Sequence, residues 1–133
     1  MNIIITESQY KRITEQNERV SATYDVLSWK YGYESDEHDE WSILIDFLLT
    51  ISVENKTYEY TFTVGGNVTE DDEWEIEEDR IDWDVIGNEH YLKTINGREI
   101  NMKLDGDKIN EVIFATDYSA IEDKISEIYR EAY

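Results

Sequence analysis

Alternation of apolar and polar residues dominates the chain between Ile43 and Val64. With a two-residue turn at Asn55-Lys56, Val53 falls opposite Tyr58, Ile51 opposite Tyr60, Leu49 opposite Phe62 and Phe47 opposite Val64. One face is then wholly apolar, while Thr50, Ser52, Thr57, Glu59, Thr61 and Thr63 occupy the other. That is the pattern of an antiparallel hairpin with one wet side. Gly65-Gly66-Asn67 is expected to loosen or end it. Upstream, Leu27, Trp29, Tyr31 and Tyr33 share one face of a period-two stretch from Thr23 to Tyr33, which predicts a strand with an end that Gly32 can bend. Downstream, Asn96-Gly97 is the dipeptide best suited to a type I′ turn and sets Tyr91 opposite Met102 and Lys93 opposite Ile100. A further turn over Asp105 to Lys108 is expected to return the chain along Ile109 to Phe114.

Two stretches change to the helical period. Thr6-Glu7-Ser8-Gln9 has the form of a capping box and predicts a helix from about Glu7 to Arg19, with Tyr10 and Ile13 inward. Ser119-Ala120-Ile121-Glu122 has the same form, and Ile121, Ile125, Ile128, Tyr129 and Ala132 follow on one face that must dock on the sheet. The expected fold is α+β: an antiparallel β-meander of about five to seven strands flanked by an N-terminal and a C-terminal helix. The whole chain, residues 1–133, reads as one acidic domain.

Composition narrows the function. The absence of cysteine rules out a disulfide framework or a thiolate metal site, and a cytoplasmic setting is the default expectation. No apolar run approaches a signal-peptide core or a membrane span. Twelve basic against 32 acidic residues give a net charge of −20, which disfavours anionic lipid and direct nucleic-acid binding. With 40% apolar and 13% aromatic residues the chain can still bury a core, so the charge does not imply disorder.

The charge is concentrated. Glu34 to Glu40 holds five carboxylates in seven residues, and Glu70 to Asp84 holds ten in fifteen with Arg80 the only cation, so these two stretches account for −14 of the total. Around Glu78-Asp79 the sequence is nearly palindromic. A tight hairpin there sets Trp74 opposite Trp83 and Ile76 opposite Ile81 on one face, and pairs Glu75 with Asp82 and Glu73 with Asp84 on the other. Like charges directly opposed destabilise a sheet. Two readings follow: an edge hairpin kept soluble by charge, or a docking surface for cations. On the second, Glu73, Glu75, Asp82 and Asp84 are the candidate partner-binding residues, with Glu37, Asp39 and Glu40 secondary. Trp41, Trp74 and Trp83 suit the core better than a binding hot spot.

Motifs for chemistry are missing. His38 and His90 are the only histidines, neither has a neighbouring motif, and both are expected at the surface. Gly65-Gly66 lacks the features of a phosphate loop, and Asp105-Gly106-Asp107 lacks the ligand spacing of an EF-hand. No catalytic residue, metal site or cofactor is assigned, and a binding protein is expected rather than an enzyme.

The opening Ile3-Ile4-Ile5-Thr6-Glu7-Ser8-Gln9-Tyr10-Lys11-Arg12-Ile13 resembles the start of small uncharacterised proteins encoded by tailed bacteriophages. The resemblance covers about a tenth of the chain and carries no catalytic residue. It implies an inhibitor of a host nucleic-acid enzyme, in the manner of the acidic DNA mimics that act as anti-restriction and anti-CRISPR proteins. The expected partner is then a basic protein, a nucleic-acid-binding enzyme. Two alternatives stay open: an immunity protein against a basic nuclease toxin, and a structural or assembly protein of a virion or complex in which charge serves solubility. The oligomeric state is left open.

Overall fold

The computed structural model describes residues 20–69 and 80–133. The predicted N-terminal helix, and the Trp74 and Ile76 half of the predicted acidic hairpin, lie outside them. Five strands, β1 (Val20–Tyr31), β2 (Ile43–Val53), β3 (Lys56–Thr69), β4 (Arg80–Ile95) and β5 (Arg98–Leu104), lie side by side in chain order, each antiparallel to the next. Two helices, α1 (Gly106–Phe114) and α2 (Ser119–Ala132), complete an α+β fold.

The period-two pattern places the core. Ile43, Ile45, Phe47, Leu49 and Ile51 of β2 share the inner face with Tyr58, Tyr60, Phe62 and Val64 of β3, all buried. Phe47 and Phe62 stack at 5.8 Å, and the edge of Tyr24 from β1 meets both rings. The helices cover this face with Ile109, Val112 and Ile113 of α1 and Ile121, Ile125 and Ile128 of α2. α2 comes very close to the sheet at Gly66, where a Cβ would sit 2.9–3.1 Å from Ile125 side-chain atoms. The Tyr24 hydroxyl and Thr116 Oγ1 share a buried hydrogen bond that ties β1 to the link between the helices.

Several local expectations are corrected. The β2–β3 turn is Glu54–Asn55, with Glu54 at φ +56°, so Val53 faces Lys56 and Phe47 faces Phe62, a slip of two residues from the predicted register. An even slip keeps every side chain on its face. Gly65, Gly66 and Asn67 do not end β3, which continues to Thr69. The Asn96-Gly97 turn forms with positive φ at both residues, as type I′ requires. A bulge between Leu92 and Thr94 then moves Tyr91 from Met102 to Lys103. β1 carries a register shift between Val26 and Ser28 that puts Leu27 out to solvent, and Tyr33 lies past the strand end in the 3-10 turn Gly32–Glu34.

The largest correction is α1, where a returning extended segment was expected. Asp105 caps a helix, its side chain accepting from the Lys108 amide at 2.8 Å, and Ile109, Val112 and Ile113 recur at helical spacing. At α2 the expected capping box does not form. Ser119 is already helical, its hydroxyl donates to Asp117, and Glu122 accepts from the Trp83 indole at 3.3 Å.

Candidate acidic docking site

The sheet face away from the helices gathers the charge. Its position follows from β3, where residues 65 and 67 point outward between inward-facing Val64 and Gly66. β4 sets Asp84 opposite Gly65 and Asp82 opposite Asn67, and both aspartates are exposed. Glu37, Asp39 and Glu40 lie in the loop between β1 and β2, also exposed. Glu73 and Glu75 lie outside the described residues, as do their proposed pairings with Asp84 and Asp82. On the β3 side the two aspartates face neutral partners, and Arg80 approaches Asp82 at 3.7 Å on the open surface. Such a pair contributes little.

The acidic loop is held against β3. At its start the Gly32 amide donates to the Ser42 carbonyl at 2.9 Å, and a Cβ on Gly32 would fall 1.5 Å from the Trp41 carbonyl oxygen, so only glycine fits. Successive turns follow, the Ser35 amide on Gly32, His38 on Ser35 and Trp41 on His38. The Trp41 ring then lies on Gly65, where a Cβ would be 2.4–2.7 Å from indole atoms. Asn67 Oδ1 accepts from the Ser42 amide at 2.7 Å and its hydroxyl at 2.9 Å, while Nδ2 donates to the Glu40 carbonyl at 3.1 Å. Gly65 and Asn67 are thus the two β3 residues that hold the loop and the two that pair with Asp84 and Asp82. Parts of both acidic stretches meet on one face.

Trp41 packs on the outer face and Trp83 on the inner one, where its ring lies 6.1 Å from Phe114 and 5.8 Å from Tyr118. Beside the loop is a cleft of about 450 Å³, with Leu44 and Ile86 in its lining and Glu37, Asp46, Glu89, Lys30 and His38 around them. Asp46 and Glu89 are absent from the sequence-based candidates. The signal for Asp46 is visible in retrospect: it is the only charged residue in β2.

His38 is half-buried at this cleft, whereas His90 is buried, contrary to the expected surface position. Three extra β4 residues between the partners of Thr61 and Thr63 form a wide bulge with Gly87 at φ +75°. His90 Nε2 donates to the Gly87 carbonyl at 3.0 Å, and Nδ1 has no hydrogen-bond partner among the described residues. Burial holds the imidazole below its ordinary pKa, with Lys103 adding in the same direction and the Gly87 carbonyl opposing.

Among the described residues no group of three or more histidine, cysteine or acidic side chains is arranged to hold a metal ion, and no helix is long and apolar enough to cross a membrane. No family model, curated protein or solved structure matches the chain.

Proposed function

We propose that this protein is an acidic docking protein of the phage-inhibitor kind, one that occupies the basic nucleic-acid-binding surface of a host defence protein or another nucleic-acid enzyme. The observation that supports this reading is the anchoring of the 35–42 loop on Gly65 and Asn67, which puts carboxylates from both acidic stretches on the same side of the sheet. Alternate residues of a strand recur about every 6.6 Å and neighbouring strands lie about 4.8 Å apart. Asp82 and Asp84, alternate residues of β4, therefore recur at that spacing, with the loop acids on the same side of the sheet. A surface of this kind attracts a basic groove over several ångströms and repels nucleic acid itself.

The test is capture from host lysate on the immobilised protein at two salt concentrations. A basic nucleic-acid enzyme should be retained at about 50 mM salt and released at about 500 mM, because the Debye length shrinks from about 14 to about 4 Å. The double variant Asp82→Asn with Asp84→Asn should retain the fold and bind that partner about ten-fold more weakly, since each lost interfacial charge contact commonly costs more than 1 kcal/mol. Salt-insensitive capture of an acidic partner overturns the reading.

A further inference from the structure

The outer face has a second feature that general charge attraction does not use. The β1 bulge at Leu27 and the wide β4 bulge at Gly87 to His90 flank one transverse row of the sheet: Ser28, Asp46, Thr63 and Ile86, which are register partners in turn. Bulges re-aim side chains and are over-represented beside binding sites. Here two of them, in different strands, converge on one carboxylate.

Asp46 is held in place across this row. Ser28 Oγ donates to it at 2.9 Å and Thr63 Oγ1 at 2.5 Å. A carboxylate has roughly four lone-pair positions, so acceptor capacity remains. The cleft over Asp46 has an apolar floor, Leu44 being only 4% exposed. Glu37 enters it from the loop and Glu89 from the β4 bulge. Among the described residues the side chains of Glu37, Glu89 and Lys30 make no hydrogen bond or ion pair. An adjoining groove, sharing Asp46 and Glu89, runs on to Tyr91 and to Leu27, which is 56% exposed beside it. In the cleft itself three carboxylates stand against Lys30 and His38, and the adjoining groove adds Lys93; carboxylates above the Leu44 and Ile86 carbon suit a cation on an aliphatic stem.

We propose that this cleft receives a basic side chain, arginine or lysine, of the partner protein. Its methylenes lie on Leu44 and Ile86 and its cation is held by Asp46 with Glu37 and Glu89. The assignment rests on the docking reading and locates one point of discrimination within it.

The experiment is an NMR titration of the isotope-labelled full chain with capped arginine, capped lysine and capped citrulline. The first two distinguish the sources of the cation, and the third is a neutral mimic. Arginine or lysine should shift the amides of Asp46, Gly87, Asn88 and Glu89, and citrulline should not. Asp46→Asn should weaken the response about five-fold or more, and Lys30→Gln should strengthen it about two-fold. Glu89→Gln, at a side chain with no bond to lose, should weaken it without touching the Ser28–Asp46–Thr63 row. Asp107→Asn, at an exposed acid of α1, should leave it unchanged. An equal response to citrulline, shifts centred on Asp82 and Asp84, or no response overturns the assignment. If a basic partner is captured in a salt-dependent way while the titration fails, only the cleft is wrong. If no basic partner is captured, the docking reading fails whatever the titration shows.

Discussion

Gly65 and Gly66 are adjacent in β3 and serve opposite faces of the sheet. Gly66 admits Ile125 of α2 and belongs to the apolar contact that holds helix to sheet; Gly65 admits Trp41 and belongs to the contact that holds the acidic loop. The inner contact is made by many buried aliphatic and aromatic side chains. The outer one rests on one indole and the few hydrogen bonds of Asn67. The same strand therefore supports a dry core whose loss unfolds the protein and an acidic surface whose local loss leaves the fold standing.

Phe62→Ala gives the largest effect that separates the faces. It removes a buried ring from the Phe47 and Tyr24 cluster and should cost about 3–5 kcal/mol in denaturant unfolding. A loss below about 1 kcal/mol means that the inner face is not packed as described.

The paired glycine variants sharpen the contrast. Gly66→Ala pushes a methyl into Ile125 and should destabilise the whole protein by about 1–3 kcal/mol. Gly65→Ala collides with a rigid ring, so Trp41 must leave. The expected result is faster limited proteolysis within residues 35–41 and a global loss of only about 1 kcal/mol. Equal global losses, with no change in loop cleavage, remove the distinction between the two faces.

The smallest effect concerns His90. Its folded pKa lies below 6.5 and its unfolded value near 6.5, so the unfolded chain binds the extra proton. The neutral imidazole contributes stability above pH 6.5, and that contribution is lost as pH falls from there toward the folded pKa, by at most about 1.4 kcal/mol per pH unit. The measurement is the difference between the protein and His90→Gln in denaturant melts at pH 7.5 and 5.5. The variant should lose less stability on acidification, and parallel behaviour of the two would show that His90 does not titrate with folding.

Much of this contrast was legible in the chain. Period two assigned the inward residues of β2 and β3, and Asn96-Gly97 named its own turn because few residue pairs accept positive φ twice. The β2–β3 register was not legible, since turns at Asn55-Lys56 and at Glu54–Asn55 give identical faces and differ only in long-range fit. In the structure Phe62 stacks on Phe47, and Thr63 reaches Asp46. α1 differs from the expected strand because the i, i+3, i+4 spacing of Ile109, Val112 and Ile113 spans barely more than one turn, too short a window for the helical period to stand out from a continuing meander. The Asp105 cap was the signal that would have decided it. The candidate acids follow from charge density and from a proposed hairpin register, neither of which says anything of Trp41 on Gly65 or of Asp46. Those depend on contacts between distant segments.

The Tyr24–Thr116 hydrogen bond spans 92 positions, whereas every strand pairing joins sequence neighbours. A sheet of this kind can zip up hairpin by hairpin with little loop-closure entropy. Its covering helices come after all five strands in chain order, so a ribosome releases the sheet before the helices that shield it. At about 5–20 residues per second, the apolar face is bare for a few seconds of synthesis. A strongly negative chain repels its own copies during that interval.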